Sequence, residues 1–104
     1  EIRDKLVTRY RPEKIILFGS RACGNPKEES DVDLLVIKRT KKREIERMVE
    51  VSKMFPRRDF ALDVIVSTPA EVSERIRLGD FFYKEILAKG RVLYERSQAT
   101  HSMA

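Results

Sequence analysis

Cysteine is almost missing from this 104-residue chain: Cys23 stands alone, so no internal disulfide can form and the fold must rest on its apolar core. Glycine and proline number four each, and neither a low-complexity segment nor an internal repeat is present. No apolar run approaches the roughly 20 residues a membrane-crossing helix needs, and no apolar N-terminal signal region appears. These absences argue against a disulfide scaffold and a membrane anchor, and make a reducing cytoplasm the expected setting. A chain opening at Glu1 without methionine is expected to have a trimmed or processed start.

Charge is plentiful instead. Lys and Arg total 22 against 17 Asp and Glu, a formal net charge of +5, and 38% of residues are charged. That excess suits phosphate-bearing ligands, nucleic acid or an acidic protein surface without selecting among them. Apolar residues recurring at regular spacing show that the charges surround a folded core. The length suits one domain, expected over 1–96 with a flexible tail over 97–104, and leaves no deep chamber for a large substrate.

Apolar periodicity divides the chain into helices and strands. Ile2, Leu6, Val7 and Tyr10 mark one face of a short helix that ends near Arg11, because Pro12 lacks a donor and clashes with the preceding turn. Lys14 to Phe18 is a short β-branched run that stops at Gly19, as expected of a buried strand entering a tight loop. Val32 to Ile37 predicts a second strand, with Val32, Leu34 and Val36 on one face and Asp31, Asp33, Leu35 and Ile37 on the other.

Lys41 to Phe55 fits a helix closed by Pro56, with Ile45, Met48, Val49, Ser52 and Phe55 at helical spacing and charge opposite. Phe60 to Val66 alternates again, setting Ala61, Asp63 and Ile65 on one side. Thr68-Pro69-Ala70-Glu71 reads as a helix start with a capping box, and Asp80 caps a further helix that Gly90 ends before the strand-like Arg91 to Tyr94. This order places the chain among the α/β or α+β folds, with helices packed on a sheet.

Singly, an Asp in or beside a strand is ordinary turn or ion-pair chemistry. Together, Asp31 and Asp33 share a face, and Asp63 joins them if its strand pairs with theirs. Three such carboxylates repel one another and call for a compensating cation. Mg²⁺ suits them, since it takes one or two carboxylates with water and phosphate oxygens, and paired ions lie roughly 3.5–4 Å apart. Gly19-Ser20, ending the first strand, is weak evidence alone for a phosphate loop, in which glycine lets amides approach and serine donates.

Gly19-Ser20, ten intervening residues and then Asp31-Val32-Asp33-Leu34-Leu35-Val36 resembles the signature of the DNA polymerase beta-like nucleotidyltransferase superfamily. The runs Phe18 to Ala22, Leu62 to Ile65 and Phe82 to Leu87 look like the minimal nucleotidyltransferases of prokaryotes, a resemblance spanning about residues 1 to 96. It implies a palm-like mixed sheet flanked by helices, with two Mg²⁺ ions held by Asp31, Asp33 and Asp63, and an ATP triphosphate contacted by Gly19 and Ser20. Arg21 is a further candidate for the phosphates. Cys23 stands where many relatives carry a basic residue, which puts one loop contact in doubt.

Larger superfamily members grip an antibiotic, a tRNA end or a DNA primer with extra domains, for which this chain has no equivalent, so a partner is expected to complete the site in a homo- or hetero-oligomer. Minimal forms resemble antitoxins paired with a helical HEPN-type ribonuclease toxin, which implies AMP transfer to a toxin tyrosine. The alternatives are an antitoxin acting by contact alone, and nucleotidylation of a small molecule or nucleic acid. Lys41-Lys42-Arg43 and Arg57-Arg58 read as solvated helix ends rather than a nucleic-acid surface. Phe81, Phe82 and Tyr83 offer a partner-binding surface or, as helical spacing more often means, core, and His101 has no evident metal companions.

Overall fold

Four segments with alternating or continuous apolar residues become strands: β1 Lys14–Phe18, β2 Val32–Ile37, β3 Leu62–Ser67 and β4 Arg91–Glu95. The computed structural model describes residues 2–19, 32–55 and 62–96. Of the residues singled out above, Ser20, Arg21, Cys23, Asp31, Pro56, Arg57, Arg58, Phe60, Ala61 and the tail 97–104 with His101 lie outside that description.

The sheet runs in the order β3-β2-β1-β4 and is mixed: β2 and β3 are parallel, while β1 is antiparallel to both β2 and β4. A parallel pair needs a crossover, and helix α2, Glu44–Met54, lies on the path that supplies it. The register shifts between Ile15 and Ile16 against β4, so the edge strand carries an irregularity.

The period-two pattern of β2 divides the core in two. On one face Ile15, Val32, Leu34, Val36 and Val66 pack with Leu6 and Tyr10 from the N-terminal helix, with Val51 of α2 and with Phe55 at the C-terminal cap of α2. On the other, Ile16, Leu35 and Ile37 pack against Val72 of α3, Pro69–Arg77, and Ile86 of α4, Phe81–Lys89. The expected α+β class, a mixed sheet flanked by helices, is the observed fold.

Local signals placed most helix ends. Thr68 caps α3 through its side chain on the Glu71 amide, Glu71 reciprocates on the Thr68 amide, and Pro69 takes the first turn. The Asp80 carboxylate accepts from the amides of Phe82 and Tyr83 and so starts α4. Gly90 ends α4 where the chain presses on β1: a Cβ there would lie 2.5 Å from Ile16 Cγ2.

Two regions depart from expectation. The N-terminal helix α1, Ile2–Lys5, widens into a π-helical stretch, Leu6–Tyr10, and stops at Arg11 in a left-handed conformation, φ 56°. In α2 the apolar stripe Ile45, Met48 and Val49 faces outward, and the helix buries Arg47 and Val51 instead. Arg47 is only 5% exposed because its donors are satisfied by both Glu71 carboxylate oxygens, at 2.8 and 3.1 Å, and by the carbonyls of Val66 and Lys42. A guanidinium making four hydrogen bonds fixes α2 against β3 and α3, and this turns the apolar stripe away.

Candidate active site

The site begins with the parity of two strands. Asp33 shares its face of β2 with Leu35 and Ile37, and Asp63 shares its face of β3 with Ile65 and Ser67. The parallel register sets Asp33 directly beside Asp63, so the two carboxylates occupy neighbouring positions on the face that α3 and α4 cover farther along. Asp33 is partly buried and Asp63 is exposed.

Phe18, the last residue of β1, pairs with Asp33 from the other side. Gly19 follows with φ 83°, a left-handed conformation that favours glycine. A Cβ on Gly19 would fall 2.3 Å from Asp33 Oδ2, so this backbone can lie against the carboxylate only without a side chain. The strand exit and the acidic pair are therefore one structural unit.

Adjacent carboxylates favour a cation between them because their charges repel. Among the described residues, no Lys or Arg forms an ion pair with Asp63. An all-oxygen pair of donors on an accessible face suits a hard divalent ion such as Mg²⁺. No group of three or more acidic, Cys or His side chains converges among the described residues, and Asp31, the expected third member, lies outside them with Ser20 and Arg21.

A cleft of about 470 Å³ opens at this point. Asp33, Asp63 and Ile65 lie in its wall with Phe18 and Phe82, and its lining continues around β3 to Leu62, Val64 and the α2 residues Met48, Val51 and Ser52. Phe82 was not foreseen here. Its helical spacing suggested core, yet Phe82 is 48% exposed and Phe81 is 72% exposed; of the three aromatics only Tyr83 is half-buried, its hydroxyl hydrogen-bonded to Ser67 Oγ at 2.9 Å. Ile86 alone among the α4 residues reaches full burial, so a Phe-Phe pair directly after a cap must place one ring off that face.

Among the described residues, a strongly displaced proton equilibrium lies elsewhere. Burial, then the charge of Glu50, pushes the Tyr10 hydroxyl up to about 12, and this tyrosine belongs to the opposite core beneath α2. It marks packing and not chemistry.

Comparison with known proteins bears on the family and the fold. The family model described as "Polymerase beta, Nucleotidyltransferase" matches residues 1–99. A Methanocaldococcus jannaschii protein named "Putative protein adenylyltransferase" is 31% identical over 97 residues, covering 90% of this chain and 92% of its own length. A crystal structure of a Sulfolobus solfataricus protein titled a "putative nucleotidyltransferase" superposes with a TM-score of 0.60 at 23% identity, covering 91% of this chain and 74% of that one; at this identity it speaks for the fold.

Proposed function

Since the chain belongs to the polymerase beta nucleotidyltransferase family, we propose that it is an Mg²⁺-dependent transferase that moves AMP from ATP to a hydroxyl acceptor, a tyrosine on a partner HEPN-type toxin. The observation that carries the reading is the register pairing of Asp33 with Asp63 beside the Gly19 turn. The named relative supports a protein as acceptor.

In this proposal Asp31, Asp33 and Asp63 hold two Mg²⁺ ions, and Gly19, Ser20 and Arg21 meet the triphosphate. Bound there, divalent ions neutralise phosphate charge and lower the pKa of the acceptor hydroxyl. The protein's own part is alignment: the Gly19 backbone admits the phosphates close to Asp33, and Asp63, exposed on the edge strand, faces the acceptor and takes its proton. The acceptor oxygen bonds to the α-phosphorus as the bond to the bridging oxygen breaks, and pyrophosphate leaves.

Isotopes test this directly. With the partner present, ATP labelled in the α-phosphate marks the acceptor and ATP labelled in the γ-phosphate does not, while the intact mass of the partner rises by one AMP. Label from the γ-phosphate identifies a kinase instead, and inhibition of the partner without any mass change identifies an antitoxin that acts by contact.

A further inference from the structure

Phe82 poses a physical question that the acidic pair does not answer. Nearly half of this large apolar residue is exposed, yet its ring is held in place. Its backbone amide is fixed by the Asp80 cap, at 2.9 Å. Phe18 and Tyr83 meet it edge to face, with ring centroids 5.7 and 5.9 Å away and interplanar angles of 87° and 86°. Such perpendicular contacts fix a ring's orientation as well as its position. The buried side of α4 is already supplied by Ile86 and Tyr83, so the core does not require Phe82.

What the ring faces narrows its use. Phe82 and Phe18 line the same cleft as Asp33 and Asp63. Phe18 pairs with Asp33 and immediately precedes Gly19, so the aromatic pair adjoins the phosphate side of the acids, and Asp63 marks the acceptor side on the edge strand. A cleft of about 470 Å³ lies within the roughly 300–1,000 Å³ typical of small-ligand sites. In a nucleoside triphosphate seated with its phosphates at Gly19, the one planar, weakly hydrated part is the base, and a preoriented ring is the surface on which a base stacks.

We infer that Phe82, braced by Phe18, is the nucleobase-binding wall of the site and supplies the affinity for a nucleoside triphosphate that its phosphates alone do not. The inference rests on the nucleotidyltransferase reading and adds to it a residue outside the acidic motif. A stacked base contributes enough that removing the ring weakens binding by about tenfold or more, and a ring that only packs against the protein leaves ligand selectivity unchanged.

Calorimetric titration of the full chain with ATP, and separately with inorganic tripolyphosphate, both with Mg²⁺, tests it on wild type, Phe82→Ala and Phe82→Trp. The expected result is an ATP Kd raised about tenfold in Phe82→Ala, retained or lowered in Phe82→Trp, and a tripolyphosphate response identical in all three proteins. Phe82→Leu replaces Phe82→Ala if circular dichroism shows the alanine variant unfolded. An unchanged ATP Kd overturns the inference, as does an equal loss for ATP and tripolyphosphate or a defect seen only in the acceptor's KM. Wild type that binds neither ligand sinks the nucleotidyltransferase reading itself, whereas wild type that binds ATP while Phe82→Ala binds it equally well sinks only the role of Phe82.

Discussion

The two faces of the sheet do different work. On the face beneath α1 and α2, Ile15, Leu34, Val36 and Val66 join Leu6, Tyr10, Val51 and Phe55 in a continuous apolar cluster. On the other face the core formed by Ile16, Leu35 and Ile37 stops short, and the next positions along β2 and β3 are Asp33 and Asp63. Because side chains alternate, adjacent residues of one strand serve both ends: Leu34 is buried in the stabilising face and Asp33 is directed at the cleft. A small domain thus places acidic groups on a strand whose alternate residues anchor the larger core.

Breaking this comparison at the acid gives the largest expected effect. Asp33→Asn should lower Mg²⁺-dependent transfer by on the order of a hundredfold or more with folding retained by circular dichroism; turnover equal to wild type would remove Asp33 from the reaction. Moving one residue along reverses the outcome. Leu34→Ala should cost about 3 kcal/mol in urea unfolding, from lost burial and the cavity left behind, and at matched folded fraction should transfer AMP far better than Asp33→Asn. A loss under about 1 kcal/mol would mean that this face is not the main core.

The smallest effect sharpens the boundary between the faces. The Arg47 hydrogen bonds, opposed by burial, hold the Glu71 carboxyl below its ordinary value of 4.5. A depressed carboxylate contributes stability that is fully present above the unfolded value and is lost as pH falls through the folded one. Acidification below about pH 4.5 should therefore destabilise wild type more steeply than Arg47→Met, in which Glu71 has lost that partner. Glu71 is partly solvated, so the difference in slope will be modest; parallel unfolding curves for the two proteins between pH 5 and 3 would show that the pair is not coupled to folding.

Much of this was readable from residues alone, where the signal is local. Thr68, Pro69 and Glu71 announce a helix start because capping involves only neighbouring amides, and alternation in Val32 to Ile37 assigns faces because pleating is a property of one strand. Strand order is not local. That Asp33 meets Asp63 depended on β2 and β3 pairing in parallel and in this register, which periodicity left conditional. The stripe of Ile45, Met48 and Val49 misled for the same reason: the orientation of α2 follows from Arg47 finding Glu71, 24 residues on, and a charged residue rarely advertises burial. Helical spacing assigns Phe82 to the core because periodicity cannot tell a core aromatic from one lining a cleft.

The central claim is that Asp33 and Asp63 act on one shared charge, and a double-mutant cycle on AMP transfer tests it most directly. If the two carboxylates belong to one site, Asp33→Asn, Asp63→Asn and the double variant should all fall to a similar residual rate, because the first substitution already disables the unit. Losses that multiply, with the double variant slower than either single one by the full product, would mean that the neighbouring acids work independently and that their pairing in the sheet is not the basis of the activity.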